Sequence, residues 1–233
     1  MVFLVECSGF CGILQFLPCL REENIMLPIE VILPFVTASM LLALSPGPDN
    51  IFVLSQSAVN GPRAGISITL GLCTGLIFHT SIVVLGVAAI IQSSALLFTA
   101  LKVIGALYLL YLAWQAFKAK VTVLDISSEE KLSYVKYFWR GILMNITNPK
   151  VSLFYLAFLP QFADVARGSL ALQLVQLGVL FMLSAFIVFS TIAFLSGYMG
   201  GFIARSTKTQ TWLNRFTALV FVGLAGRLLL AKQ

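Results

Sequence analysis

Six long apolar stretches alternate with short polar segments along the chain. A helix of about 20 residues crosses the roughly 30 Å hydrocarbon core of a bilayer, and each stretch is long enough to do so. The stretches are continuously apolar and lack the alternation that is typical of strands in an outer-membrane barrel. The pattern predicts an all-α, polytopic membrane protein with six transmembrane helices, near Val31–Leu54, Ile66–Ile91, Ala95–Phe117, Gly141–Leu159, Leu170–Ser196 and Trp212–Leu230.

The composition supports a membrane location and excludes several other classes of protein. Hydrophobic residues make up 59% of the 233 residues and charged residues only 10%, whereas a soluble domain carries about 25% charged residues. The formal net charge of +6 comes from basic residues that lie mostly between the apolar stretches, as in membrane proteins. We therefore expect no nucleic-acid partner and no soluble enzyme. The bias of Lys and Arg toward one side predicts that the 118–140 segment is a solvated cytoplasmic loop.

The first apolar stretch is interrupted by the sequence Ser45, Pro46, Gly47, Pro48, Asp49. Two prolines around a glycine break a regular helix, and in a membrane such breaks persist where they line a cavity or a site. A carboxylate within a membrane helix is costly and usually marks a substrate pathway or a proton relay. The alternative is that the helix ends at Leu44 and that Asp49 caps the next helix in a turn at the membrane surface.

The fourth apolar stretch is interrupted in the same way by Asn148, Pro149 and Lys150. If its helix begins near Arg140, Asn148 lies about 12 Å along it, close to the middle of the membrane. A lysine within a membrane helix usually has a partner, and Asp49 is the best acidic candidate. We therefore predict an ion pair between Asp49 and Lys150.

The two breaks fall in the first and fourth helices, which are the first helices of two three-helix halves. Because each half has an odd number of helices, the second half must be inserted upside down. Inverted repeats with breaks at matching positions are typical of secondary transporters. This predicts a transporter domain over residues 26–233 with repeat halves at about 26–120 and 136–233. Residues 1–25 are then an N-terminal extension, which we favour, or a seventh helix.

The second helix carries Gly71, Gly75 and His79 at four-residue spacing, so that they share one face. The two glycines permit close approach of another helix. His79 is the single histidine of the chain, and it either exchanges protons near neutral pH or hydrogen-bonds a neighbouring carbonyl. We favour the hydrogen bond. The sequence contains no phosphate-binding loop and no cluster of metal ligands, so that no cofactor and no metal ion are expected.

These residues resemble the lysine-exporter-type (LysE/RhtB) translocator family of amino-acid exporters. The resemblance extends from Met26 to the C-terminus in the order of the family, and the helix with Gly71, Gly75 and His79 resembles the homoserine/threonine branch. The other matching pieces are Ser-Pro-Gly-Pro-Asp at 45–49, Asn145-x-x-Asn148-Pro149-Lys150, Leu159-Pro160-Gln161-Phe162 and Gly223-Leu224-x-Gly226-Arg227-Leu228.

The resemblance implies a multi-pass exporter in the bacterial inner membrane that is not an enzyme. It implies that homoserine, threonine or a similar neutral amino acid leaves the cytoplasm in exchange for protons, and it leaves a homo-oligomer open. Asp49 would carry the coupling proton, while the broken backbone at Ser45–Pro48 and Asn148–Pro149 would bind the substrate's carboxylate and ammonium groups. Lys150 would attract the carboxylate or hold Asp49.

Two alternatives belong to other functional classes. A membrane-embedded enzyme could use Asp49 and His79 on a lipidic substrate, which requires these two side chains to lie close together. A subunit of a larger exporter would not transport anything alone.

Overall fold

The computed structural model describes residues 27–87, 95–118, 132–198 and 207–230. Every regular element within these residues is helical, so that the predicted all-α class is confirmed there. The N-terminal segment 1–25, the polar residues 92–94 and most of the 118–140 segment lie outside the described residues.

The helices are numbered here in chain order. The described helices are α1 (Ile29–Leu44), α2 (Pro48–Asn60), α3 (Pro62–Ile82), α4 (Ala95–Lys118), α5 (Tyr134–Ile146), α6 (Pro149–Phe162), α7 (Leu170–Tyr198) and α8 (Thr207–Leu230). A π-helical turn over Val83–Val87 continues α3, and a 3-10 turn over Val165–Arg167 precedes α7. The helix α6 is irregular, because one α-helical turn over Pro149–Leu153 is followed by a π-helical turn over Phe154–Phe158 and a 3-10 turn over Leu159–Phe162.

Two helices of the described residues, α3 and α7, are each long and apolar enough to cross a membrane. Two further pairs qualify if each is one bent span: α1 with α2, bent by 62°, and α5 with α6, bent by 49°. Both bends fall at the predicted proline breaks. The described residues therefore contain between two and four candidate membrane spans by length and composition.

Apolar side chains cover the outside of the helix bundle as well as filling its core. Large apolar side chains face outward, as at Leu85, which is 79% exposed, and Leu183, which is 55% exposed. Polar and charged side chains such as Gln56, His79 and Lys150 are buried between the helices, among a larger number of buried apolar residues. An apolar exterior with polar groups turned inward is the arrangement that a lipid environment favours.

The start of α5 differs from the prediction. The helix begins at Tyr134 and not near Gly141, because Ser133 caps it by accepting a hydrogen bond from the backbone N–H of Lys136 at 3.4 Å. The prediction of a loop up to residue 140 is therefore wrong at its end, and the expected boundary at residue 136 falls inside α5. The 13 residues of α5 place the break about 20 Å from the start of that helix.

The most extensive contact between helices joins α3 to α5. A Cβ atom on Gly71 would lie 2.0 Å from the Phe138 carbonyl oxygen, and one on Gly141 would lie 2.4 Å from the Ile68 carbonyl oxygen. The two backbones are therefore in direct contact, as the predicted small-residue face requires. Elsewhere α7 packs against α1, α2 and α3, and α4 packs against α8.

Candidate functional site

The first helix break separates α1 from α2 at Ser45, Pro46 and Gly47. Pro48 begins α2, where a proline is tolerated because the first helical turn needs no hydrogen bond from its N–H. The helix does end at Leu44, as the surface-turn alternative required. One side of the turn is buried, since Ser45 is 1% exposed and Asp49 is 3% exposed, whereas Pro46 and Pro48 are exposed on the other side. The charged side of the break therefore faces the interior of the helix bundle, and its prolines face outward.

The second break brings Lys150 to the first one. The Lys150 Nζ atom lies 3.2 Å from Asp49 Oδ1 and donates a hydrogen bond to the Ser45 carbonyl oxygen at 3.1 Å. That carbonyl oxygen is available because the prolines interrupt the helix after Ser45. The predicted Asp49–Lys150 pair is thus confirmed, and it joins the two breaks directly.

Gly47 makes room for this ion pair. A Cβ atom at position 47 would lie 2.6 Å from Asp49 Oδ1 and 2.9 Å from Lys150 Nζ. The backbone of Gly47 is extended, with φ of −165°, so that other residues could adopt its conformation. Position 47 is therefore occupied by glycine because the charged groups of Asp49 and Lys150 leave no space for a side chain.

Two asparagines hold the ends of the breaks. The Asn148 Oδ1 atom accepts a hydrogen bond from the backbone N–H of Lys150 at 3.0 Å and so caps α6. The Asn50 Nδ2 atom donates to the Ala43 carbonyl oxygen at 2.7 Å and so joins α2 back to α1. Asn50 was missed by the sequence prediction, although it directly follows the charged residue of the proline motif.

His79 lies on the glycine face of α3 against α5. Its Nε2 atom is 3.1 Å from the Asn145 carbonyl oxygen, and the residue is 4% exposed. The predicted hydrogen bond to a carbonyl is therefore confirmed. Gly75 makes this approach possible, because a Cβ atom there would lie 2.8 Å from Asn145 Oδ1. Among the described residues no hydrogen bond or ion pair joins His79 to Asp49.

Two further contacts connect the helices that flank the two breaks. The Tyr137 hydroxyl of α5 donates to Gln56 Oε1 of α2 at 2.8 Å, and both residues are buried. The Phe35 ring of α1 packs against two rings of α6, with centroids 5.1 Å from Phe162 and 6.4 Å from Phe154. Neither contact was predicted from the sequence.

A cavity of about 380 Å³ lies elsewhere, between α3 and α7, and it is mostly apolar. Its lining includes Thr80, Val84 and Gly178 but neither Asp49 nor Lys150. Within the described residues no group of three or more His, Cys, Asp or Glu side chains could hold a metal ion. The chemistry at the breaks is therefore that of charges and hydrogen bonds between two interrupted helices.

The buried pair predicts strong coupling between its two members. Lys150→Met alone leaves a buried carboxylate without its partner, which costs about 3–5 kcal/mol of unfolding free energy. The double variant Asp49→Asn with Lys150→Met is expected to recover most of this loss, because neither charge remains. The measurement is detergent-based unfolding of the four proteins in a double-mutant cycle.

Asp164 and Arg167 provide the control for this cycle. Their ion pair has the same 3.2 Å distance, but the side chains are 48% and 42% exposed, so that Asp164→Asn should cost less than about 1 kcal/mol. If the changes in unfolding free energy of the two single variants add up to that of the double variant, Asp49 and Lys150 are not a coupled pair.

A family model described as LysE type translocator matches residues 40–232. A protein of Bacillus subtilis (strain 168) called uncharacterized membrane protein YrhP is 33% identical over 201 residues, which cover 82% of this chain and 95% of that protein. A leucine efflux protein of Enterobacter sp. (strain 638) is 31% identical over 202 residues, 83% of this chain and 92% of that protein. A leucine efflux protein of Salmonella typhimurium is 28% identical over 195 residues. No solved structure matches the chain.

The family match covers more than half of the chain and includes both helix breaks. Members of this family are translocators, so that the alternative of a membrane-embedded enzyme is wrong. Together with the apolar helices, the membrane-protein relatives make this a multi-pass protein of the bacterial inner membrane. The chain belongs to the LysE-type translocator family.

Proposed function

We propose that this protein exports a neutral amino acid from the cytoplasm in exchange for protons. The family supports amino-acid export, and the relatives named leucine efflux proteins support a neutral substrate. Leucine is therefore a candidate beside homoserine and threonine, which the motif of the second helix favours.

The Asp49–Lys150 ion pair is the observation that carries this proposal. Each charge is buried and depends on the other, because an unpaired charge in a low-dielectric interior is costly. A zwitterionic amino acid can replace both partners at once, with its ammonium on Asp49 and its carboxylate on Lys150. Neither protein charge is then left alone.

A proton on Asp49 excludes the substrate's ammonium group from the same carboxylate. The site therefore carries either a proton or an amino acid, and this mutual exclusion is the physical condition for antiport. The role of His79 is structural in this account, since it fixes α3 against the Asn145 carbonyl oxygen.

We further propose six spans in two inverted halves within residues 26–233. The first half contains α1 with α2, α3 and α4, and the second contains α5 with α6, α7 and α8. In this arrangement α1 corresponds to α5, α3 to α7 and α4 to α8. Two observed contacts support it, because the α3–α5 contact has its counterpart in the α7–α1 contact when the halves are exchanged. The α4–α8 contact joins two corresponding helices. The helices α4 and α8 have 24 residues each, long enough for a span.

Alternating access follows from the same exchange of halves. Phe35 and Tyr137 occupy corresponding positions, counted back from the ends of α1 and α5. Each contacts the helix that follows the other half's break: Phe35 packs against α6, and Tyr137 hydrogen-bonds to α2. We propose that these two contacts open in turn, so that the ion pair is reached from one side of the membrane at a time.

The six-span arrangement is tested by single cysteines in a variant with its four native cysteines replaced by alanine. Arg63→Cys and Ser133→Cys are expected to react with an impermeant reagent from the cytoplasmic side, and Ser169→Cys from the opposite side. If α4 does not span, Ser133→Cys and Arg63→Cys will react from opposite sides. That result would contradict the two three-helix halves.

Transport is tested in everted membrane vesicles with an acidic interior, using labelled leucine, threonine, homoserine and lysine. We expect uptake of at least one neutral amino acid that a protonophore abolishes. Asp49→Asn should lower this uptake by at least about tenfold, the effect of losing one charge-assisted hydrogen bond. Asp164→Asn, which changes an exposed carboxylate, is the matched control and should transport normally.

Uptake that survives the protonophore would contradict proton exchange. Uptake that the Asp49→Asn change leaves unaltered would show that Asp49 is not the proton site. No uptake of any neutral amino acid by well-inserted protein would contradict the proposed export. It would favour the alternative in which the chain is one subunit of a larger exporter.

A further inference from the structure

The two asparagines at the breaks are each anchored by one end of the amide group. Asn50 uses its Nδ2 atom to bond the Ala43 carbonyl oxygen, and Asn148 uses its Oδ1 atom to bond the Lys150 N–H. These bonds fix the orientation of both amides, since a flipped amide would lose its partner. Within the described part of the chain, the opposite ends, Asn50 Oδ1 and Asn148 Nδ2, are buried and have no hydrogen-bond partner.

The free ends give the two breaks opposite chemical character. The first break presents acceptors, namely the Asp49 carboxylate and the Asn50 carbonyl oxygen. The second break presents donors, namely the Lys150 ammonium and the Asn148 amide hydrogens. Asn50 and Asn148 are 8% and 3% exposed, and a buried polar atom left unsatisfied is costly enough to require a partner.

We propose that the two breaks form one binding site for an α-amino acid zwitterion, in which Asn50 Oδ1 receives the ammonium group beside Asp49 and Asn148 Nδ2 donates to the carboxylate beside Lys150. This inference rests on the proposed function and assigns the two polar ends of its substrate to named side chains. An acceptor can bind only the N–H groups of the ammonium, and an amide NH₂ can only donate, so that the substrate's orientation is fixed.

Ser45 adds a third contact at the junction of the breaks. Its hydroxyl is buried and has no partner among the described residues, although its carbonyl oxygen binds Lys150. Ser39 within α1 is also buried, but its hydroxyl donates to the Phe35 carbonyl oxygen at 2.7 Å. The two serines therefore form a matched pair, one hydroxyl free for a ligand and one already satisfied.

The site is tested by equilibrium binding to the purified protein in nanodiscs without any ion gradient. The probes are L-leucine, 3-methylbutylamine, which is leucine without its carboxylate, and 4-methylpentanoate, which is leucine without its ammonium group. L-threonine and L-homoserine serve as further zwitterions. Each ammonium or carboxylate contact is worth at least about tenfold in affinity, so that wild-type protein should bind the zwitterion at least tenfold more tightly than either truncated probe.

The variants separate the two ends of the substrate. Asn148→Asp keeps the acceptor that caps α6 but removes the donor, and it should weaken leucine binding at least about tenfold without weakening the binding of 3-methylbutylamine. Asn50→Ala should weaken leucine binding and leave 4-methylpentanoate binding intact. Ser45→Ala should weaken leucine binding, whereas the matched control Ser39→Ala should not.

A merely structural role for either asparagine would weaken all three probes equally and would overturn the inference. So would unchanged binding in Asn148→Asp, which means that the free atoms only bind water. Failure of every zwitterion to bind also overturns it. Binding is measured without a gradient, so that the two proposals can fail separately. A wild-type protein that binds leucine but shows no proton-driven transport would contradict the proposed function alone. Proton-driven transport by wild-type protein, together with variants that keep the wild-type preference among the three probes, would contradict this inference alone.

Discussion

A charge buried among membrane helices needs a partner, and the structure around the breaks depends on how Asp49 and Lys150 meet that need. The two side chains come from helices in different parts of the sequence, and the interruption of each helix lies next to its charged residue. Gly47 leaves the space that the pair occupies. The direct backbone contact of α3 with α5, through Gly71 and Gly141, holds the helix that leads to the second break.

The same interruptions that position the charges also leave polar groups available to a ligand. A regular helix satisfies its own carbonyl and amide groups, and its residues offer a substrate little beyond their side chains. Here the Ser45 carbonyl oxygen binds Lys150, and Asn50 and Asn148 each bind backbone with only half of the amide. In our proposal, breaking two helices at one place is what creates a site for a small zwitterion.

The sequence predicted the parts of the site that are costly in a membrane, because charges and paired prolines rarely occur in apolar stretches unless they line a site or a pathway. The ion pair, both helix breaks and the glycine face were found in this way. The start of α5 was missed because Lys136 and Arg140 make its first turns look like a loop. Asn50 was missed because its role depends on which end of its amide bonds the Ala43 carbonyl oxygen. The sequence alone does not show how α1 and α2 lie relative to each other and so does not reveal this contact. The Tyr137–Gln56 bond was missed for the same reason.

The central claim is that a proton and the substrate compete for Asp49, and the pH dependence of leucine affinity tests it most directly. In our proposal a proton on Asp49 displaces the substrate, so that leucine affinity should fall as the pH is lowered. Asp49→Asn should abolish this dependence, whereas His79→Gln, which alters a titratable side chain that contacts the Asn145 carbonyl oxygen, should retain it. Wild-type binding that does not change with pH, or a dependence that persists in Asp49→Asn, would contradict the account.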